Sequence, residues 1–397
     1  MSPYTTEHMQ YLWSDHYTLN AWANVEIALL TAQAQHSIIP IEWVETAIDT
    51  PTPTVAKWRQ HLATTRHELV AFLDAWGLEH VHIGCTSSDI IDTANALRYR
   101  AISDHISTAA YRLREALINR ALETADTPRL GRTHGQTATP TTLGHRLADL
   151  ATQADRGAHR LDHARRDLET GMINGPTGGY HNIDPATEQT ALELLHLKPA
   201  GITTQIIARD SLTHYAAALI GLIETCAAYA LEVRLGQHQA IEELCENHHP
   251  DTYIGSSTMP HKRNPSDSER ITGLARIARA YYAPLAESVE TWHERDISHS
   301  SVERTIMPQL TGIAHYALTW AETSVLRLGY DPDRMGRNIH RAEGLGTHDA
   351  LYHAQLAGMS YRQARIAAQK RPGPIPQPPD SQHLKRQLQK IGSKPRG

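Results

Sequence analysis

Leu212-Thr213-His214-Tyr215-Ala216-Ala217-Ala218-Leu219-Ile220-Gly221-Leu222-Ile223-Glu224-Thr225-Cys226-Ala227-Ala228-Tyr229-Ala230-Leu231-Glu232-Val233 is the stretch that decides the fold. Its positions Leu212, Tyr215, Leu219, Leu222, Cys226, Tyr229 and Val233 recur at alternating steps of three and four. That spacing lays one apolar seam along a helix, of the kind seen where long helices pack nearly parallel. No proline interrupts 211–247, so the pattern predicts a single helix of roughly 50 Å at 1.5 Å per residue. A second seam runs through Leu143, Leu147, Leu150, Ala154, Gly157, Leu161, Ala164 and Leu168. Shorter helical patterns cover Ala94 to Leu122, Glu269 to Val289 with a kink expected at Pro284, and Leu310 to Leu328.

Strand signals are weak. Val81-His82-Ile83 is short, and the chain holds a single phenylalanine, Phe72. The fold class expected is therefore all-α, with a central bundle of long helices over 94–335. A smaller N-terminal helical domain is expected over 1–93, carrying Trp22 to Gln35 and Val55 to Trp76. A short C-terminal helical domain is expected over 336–370. Beyond it, Arg371-Pro372-Gly373-Pro374-Ile375-Pro376-Gln377-Pro378-Pro379 resists regular structure. The basic tail over 371–397 is read as a disordered, solvated terminus without the interleaved aromatics that single-stranded nucleic acid would stack on.

Composition narrows the functional class. A formal net charge of -5 produces no global field that would favour nucleic acid. The N-terminus lacks a continuous apolar run, and no segment reads as a signal peptide or bilayer span. Three widely separated cysteines, Cys85, Cys226 and Cys245, suit a reducing compartment better than a disulfide framework. A cytoplasmic protein is expected.

Working outward from the long seam, the next stretch is Gly255-Ser256-Ser257-Thr258-Met259-Pro260-His261-Lys262-Arg263-Asn264-Pro265. Its glycine and prolines exclude a continuous helix or central strand. Three hydroxyls, two cations and a carboxamide share this loop, and Lys262 is one of only three lysines before residue 300. A serine six residues before a lysine suits proton removal beside a carboxylate, with the serine as base and the lysine and amides holding the developing charge. A purely structural polar loop is the alternative.

Four further clusters stand beside the helical patterns. They are Thr65-Arg66-His67-Glu68, Thr86-Ser87-Ser88-Asp89, Gly131-Arg132-Thr133-His134-Gly135-Gln136, and Trp292 through Arg304. Singly, each has a plain structural account: helix caps, hydrogen-bonded histidines, or a polar helix face with local ion pairs. In this order, together with the serine loop and Thr204-Gln205, they resemble the fumarase/aspartase superfamily, and within it the adenylosuccinate lyase family. The likeness spans roughly residues 4 to 350.

The resemblance implies a homotetramer in which segments from three subunits meet in each active site. It implies release of fumarate from a succinyl-amino nucleotide, with no cofactor and no metal. Ser256 matches the family's general base and His134 the general acid that protonates the leaving nitrogen. Lys262 and Asn264 match groups that bind the succinyl carboxylates. Thr86, Ser87 and Gln205 match further contacts to the succinyl portion, with Thr133 in the substrate-binding set. His67, with Arg66, matches a second active-site histidine near the nucleotide. Tyr4, Arg270, Arg295, Ser300 and Arg304 match the nucleotide-binding set.

Three departures from the family pattern stand out. Pro3 precedes Tyr4 where an arginine is usual, Glu68 follows Arg66-His67 where an aspartate is usual, and the C-terminal helical region is short. They leave a second reading beside the main one: a specialised lyase for a modified nucleoside or nucleotide. Other superfamily reactions, such as argininosuccinate cleavage or carboxymuconate cyclisation, suit the arginines between Trp292 and Arg304 less well. His248-His249 lacks partners at metal-ligand spacing.

Overall fold

The computed structural model describes residues 3–246, 256–259 and 261–393. Gly255, Pro260 and the His248-His249 pair lie outside the described residues. The chain opens with α1 (Glu7–Leu12), α2 (Asp15–Gln35), α3 (Ile41–Asp49), α4 (Val55–Thr65) and α5 (Glu68–Trp76). Then come α6 (Ser87–Glu123), the strands β1 (Pro128–Thr133) and β2 (Gln136–Thr142), and α7 (Leu143–Leu168). They are followed by β3 (Thr170–Gly171), α8 (Pro185–Leu194), β4 (Lys198–Pro199), α9 (Asp210–Gly236) and β5 (Leu244–Cys245). The rest is α10 (Ser266–Ala280), α11 (Tyr282–Glu287), α12 (Ser298–Arg327), β6 (Gly329–Tyr330), α13 (Pro332–Arg341), α14 (Thr347–Leu356), α15 (Tyr361–Lys370) and α16 (Ser381–Gly392). The fold is all-α, with strands reduced, among the described residues, to three two-stranded pairings.

The main core lies between α6, α7, α9, α10 and α12, where both seams are buried from Leu143 to Leu168 and from Leu212 to Val233. Polar pairs fix the helix directions. Ser103 bonds Tyr215 at 2.8 Å and Asp92 bonds Arg209 at 2.7 Å, so α6 and α9 run parallel. Ser107 meets Asp162 at 2.8 Å and Arg114 meets Asp155 at 3.1 Å, so α7 runs back along α6. Arg209 reaches Glu303 and Tyr229 meets Ser324, which sets α12 parallel to α9. Thr272 beside Arg234 and Arg279 on Glu224 set α10 antiparallel to α9. A Cβ on Gly157 would sit 2.6 Å from the Leu222 side chain, so that glycine lets α7 and α9 approach closely.

One consequence governs the site. The N-terminal ends of α6, α9 and α12 gather at one end of the bundle. The C-terminal end of α9, the β1–β2 hairpin and the start of α10 gather at the other. By composition α9 is apolar enough to cross a membrane, yet 67% of its apolar window is buried inside the protein. It is the central core helix.

Several elements differ from the sequence reading. The helix expected through 211–247 stops at Gly236, where Leu244 folds back onto the glycine and leaves no room for a Cβ. The chain then turns through Glu242 at φ 52°. The break before α11 falls at Tyr281, and Pro284 sits inside the first turn of α11, where its missing N–H has no intrahelical partner to lose. Helix α12 begins twelve residues before Leu310 and accommodates Pro308 within it. Val81 to Ile83 is a loop, while the strands that do form lie at 128–142. The tail expected to be disordered contains α16. Its Leu388 is buried in the main core and its Lys385 pairs with Asp126 at 2.7 Å. An apolar residue every three or four positions (Leu384, Leu388, Ile391) is enough to dock a helix that the preceding prolines cannot join.

Candidate active site

At the end where α6, α9 and α12 begin, a cavity of about 270 Å³ is lined by Ser88, Asp92, Arg295, His299, Ser300, Glu303, Arg304 and Glu68, among others. Its floor is the start of α6. Thr86 caps that helix reciprocally with Asp89, whose carboxylate accepts the Thr86 N–H at 2.7 Å. The same buried carboxylate accepts N–H bonds from Asn174 and Gly175. Burial nevertheless raises the Asp89 carboxyl above its ordinary range, against the pull of those three backbone donors.

The loop leading into Thr86 and Ser87 is held from α2. Glu26, fully buried, accepts the His82 N–H at 3.0 Å and the His82 Nδ1 proton at 2.8 Å, and Gln33 donates to the Ile83 carbonyl at 2.9 Å. Glu26, His82 and Cys85 are, among the described residues, a group with ligand atoms within 4.8 Å of one another. Both Glu26 oxygens are already engaged, and burial pushes the Cys85 thiol well up, so the group reads as a clamp on the loop.

Arg295 joins two sequence blocks. Its Nη1 donates to Ser88 Oγ at 2.9 Å and to Gln205 Oε1 at 3.2 Å. Burial lowers its guanidinium below the usual arginine range, against the pull of Asp92. Arg304 on α12 pairs with Glu68 of α5. His67 caps α5, its Nδ1 accepting the Val70 N–H at 3.3 Å with the ring exposed, and Arg66 occupies the left-handed C-cap of α4 at φ 54°. Thus Arg66, His67, Thr86, Ser87, Gln205, Arg295, Ser300 and Arg304 all belong to this end of the bundle.

Tyr4 and Arg270 stand elsewhere. They meet around Tyr316 on α12. Tyr4 contacts its ring edge-to-face at 5.9 Å, and Arg270 donates to its hydroxyl at 3.4 Å.

The remaining groups sit at the opposite end. His134 and Gly135, at φ 55° and 75°, form the two-residue tip between Thr133 and Gln136. Two consecutive positive φ values mark a type I′ turn. This turn holds the exposed His134 imidazole out from the bundle. The hairpin is anchored by Arg129 on Glu232 at 2.6 Å and by Arg132 on the buried Glu243 at 2.7 Å. Burial alone would raise the Glu232 carboxyl, but Arg129 and Arg146 bring it below its ordinary range.

The serine loop follows α9 at this same end. Ser256 Oγ accepts N–H bonds from Thr258 at 3.3 Å and Met259 at 3.0 Å. The loop's return is tied down where Gln237 donates to the Arg263 carbonyl at 3.0 Å and accepts from the Glu246 N–H. Lys262 is exposed and Asn264 half-buried. Helix α9, 27 residues long and so about 40 Å, separates His134, Ser256, Lys262 and Asn264 from Gln205 and Arg295.

Sequence reasoning placed His299 and Glu303 in the cluster from Trp292 to Arg304 but missed their partners Asp92 and Arg209. Arg209 forks onto both oxygens of Asp92 at 2.7 and 3.0 Å and onto Glu303 at 2.7 Å, and Glu303 accepts from His299 at 3.0 Å. Burial alone would lower the guanidinium; the two carboxylates raise it instead. No sequence signal set them apart, because Asp92, Arg209 and Glu303 sit among other polar residues at their helix starts.

Comparisons with known proteins match this chain to lyases. A family profile described as Lyase matches residues 21–279. Adenylosuccinate lyase from Bacillus subtilis is 37% identical over 348 residues, covering 86% of this chain and 80% of that protein. The Deinococcus radiodurans adenylosuccinate lyase is 37% identical over 366 residues, covering 89% and 84%. Among solved structures, fumarate lyase from Mesorhizobium sp. BNC1 superposes with a TM-score of 0.83 at 24% identity, covering 93% of this chain and 86% of that one. The 3-carboxy-cis,cis-muconate lactonizing enzyme from Pseudomonas putida gives 0.82 at 24% identity, covering 99% and 89%. At that identity the structural likeness speaks for the fold alone.

Proposed function

Because this chain belongs to the adenylosuccinate lyase family of the fumarase/aspartase superfamily, we infer that it is a lyase that breaks the C–N bond of adenylosuccinate. The products are fumarate and AMP, a step of purine nucleotide synthesis. The observation that carries this is the 37% identity to adenylosuccinate lyase over 348 residues. That identity favours the plain nucleotide over a modified one.

The chemistry assigns each group a role. Ser256 removes the proton from the carbon beside a succinyl carboxylate. The electron pair left behind forms the fumarate double bond as the C–N bond breaks, and His134 delivers a proton to the departing nitrogen. Serine is a weak base unless its oxygen is favoured as an anion, and the Thr258 and Met259 N–H groups aimed at Oγ supply that preference. Lys262 and Asn264 hold the carboxylate onto which charge spreads, a service whose loss costs about 100- to 1000-fold. Thr86, Ser87 and Gln205 bind the succinyl end, with Thr133 beside His134 on the hairpin. Arg66, His67, Arg295, Ser300 and Arg304 receive the nucleotide, and Tyr4 and Arg270 complete its binding set. Proton transfer and charge stabilisation by side chains suffice, so the reaction calls for no cofactor.

The active unit is a homotetramer with shared sites. The support is the length of α9: a substrate of nucleotide size cannot touch groups about 40 Å apart. Copies of the chain must bring one bundle's nucleotide end against another's serine loop and hairpin. The protein works in the cytoplasm, in keeping with three unpaired cysteines. Mixing two separately impaired variants, Ser256→Ala from the loop end and His67→Gln from the nucleotide end, then dissociating and reassociating them, should restore a fraction of fumarate release. Restoration that never rises above either variant alone would contradict shared sites, whereas an inactive wild-type enzyme would contradict the reaction itself.

A further inference from the structure

Two atoms of the nucleotide-end cavity are shut off from water and bonded to nothing among the described residues: Arg295 Nε and His299 Nε2. His299 is 3% exposed and lies in the first turn of α12, one turn before Glu303. Its other nitrogen is spoken for, with Nδ1 3.0 Å from Glu303 Oε1. Burial would raise the Glu303 carboxyl, but the His299 hydrogen bond and the Arg209 charge more than offset this and leave it below its ordinary range.

An ionised carboxylate only accepts hydrogen bonds, so Nδ1 carries the hydrogen, and in the Nδ1–H tautomer Nε2 presents a lone pair. The arrangement is fixed from behind, because Arg209 grips the same Glu303 oxygen while forking onto Asp92. A buried acceptor left unpaired is costly. It calls for an explanation, and a ligand that completes it is one. Arg295 has the complementary need: Nη1 is engaged by Ser88 and Gln205, and Nε–H has no acceptor.

We propose that His299 is a specificity residue that reads a ribose hydroxyl of the nucleotide, which donates to His299 Nε2 and accepts from Arg295 Nε–H. The assignment rests on the adenylosuccinate reading above. Among the parts of that substrate only a hydroxyl does both. Ionised phosphate and carboxylates accept only, the unprotonated purine nitrogens accept only, and the base's N–H donates only. Ser300 and Arg304 lie on the same helix and line the same cavity, so they are placed to take the adjoining phosphate. Glu303 and Arg209 act through the ring as positioning residues.

The experiment measures fumarate release from adenylosuccinate and from its 2′-deoxy and 3′-deoxy analogues by wild type, His299→Phe and His299→Gln. Wild type should lose about tenfold or more in kcat/KM on one deoxy analogue, mostly through KM. His299→Phe should lose a similar factor on the ribose substrate yet be indifferent to the missing hydroxyl, and His299→Gln should regain part of the discrimination. A Phe variant that discriminates as wild type does, or that falls equally on all three substrates, overturns the assignment. If the Phe variant does not fold, the Gln variant decides alone: reduced discrimination supports the proposal and unchanged discrimination overturns it. Wild type that releases no fumarate from adenylosuccinate sinks the reaction itself, and this assignment with it.

Discussion

The two ends of the bundle are built on opposite principles. Where α6, α9 and α12 begin, polar groups are buried and engaged: Arg209 sits between Asp92 and Glu303, and Arg295 bridges Ser88 and Gln205. Where α9 ends, the chemical groups stand out in solvent on short connections, His134 on a two-residue turn and Lys262 on a loop. A preorganised cradle selects a ligand. Exposed groups on loops can be carried into a neighbour's cradle and close over what it holds. In the proposed assembly one end is complete within a chain, and the other is completed by another copy.

Removing a group from the exposed end should therefore damage chemistry and spare the fold. Ser256→Ala is expected to lower kcat by about 100- to 10,000-fold, the largest effect foreseen, with an unchanged melting temperature. His134→Gln should behave likewise. A variant that melts early would break the contrast, because it would place the serine loop inside the stabilising core.

The cradle should respond the other way. Arg209→Met removes the ion-pair partner of two buried carboxylates, Asp92 and Glu303, and breaking such a pair typically costs about 3–5 kcal/mol. Urea denaturation of the assembled enzyme would read this as a lower midpoint at the same slope. A loss below about 1 kcal/mol would mean the network is wetter than its burial indicates.

What was legible in the sequence follows the same division. The seams through Leu143 to Leu168 and Leu212 to Val233 announce themselves because helix period and burial agree. The β1–β2 hairpin escapes such a reading, since Arg129, Arg132, Thr133, Gln136 and Thr137 give it no apolar alternation. The His134-Gly135 dipeptide was the available signal for its turn. The exposed candidates were found through their loop chemistry, whereas Asp92, Arg209 and Glu303 look like ordinary helix charges until tertiary packing buries them. Helix α16 was hidden by the prolines before it, although Leu384, Leu388 and Ile391 carry its docking face.

Between the two ends, pH offers a milder probe. His315 on α12 holds the N-terminal segment through a 2.8 Å bond to Thr6. Burial, then the neighbouring His105 and His8, hold its imidazole down at about 4 against a usual 6.5. The unfolded chain therefore takes up a proton between these two values that the folded protein refuses. Stability is unaffected above about pH 6.5, declines as pH falls towards 4 and levels off below. The loss by pH 4.5 is about 3 kcal/mol as an upper bound, since the ring is partly solvated. Denaturation at pH 7 and 4.5 checks the sign, and His315→Gln should flatten the difference. A wild-type protein equally stable at both values would show that the ring is not kept neutral.

The smallest effect tests whether the cradle is as complete as its network suggests. Arg304, matched to nucleotide binding, is paired with Glu68. A carboxylate there competes with an incoming phosphate, and both side chains are partly exposed, at 54% and 32%. Such a pair is worth less than about 1 kcal/mol, so Glu68→Gln should lower KM by no more than about fivefold with kcat unchanged. Raising the salt should shrink the gain, because the competition is Coulombic and screened. A KM that instead rises would mean that Glu68 aims Arg304 at the phosphate. The extra methylene relative to aspartate would then belong to the cradle's construction and not to its inhibition.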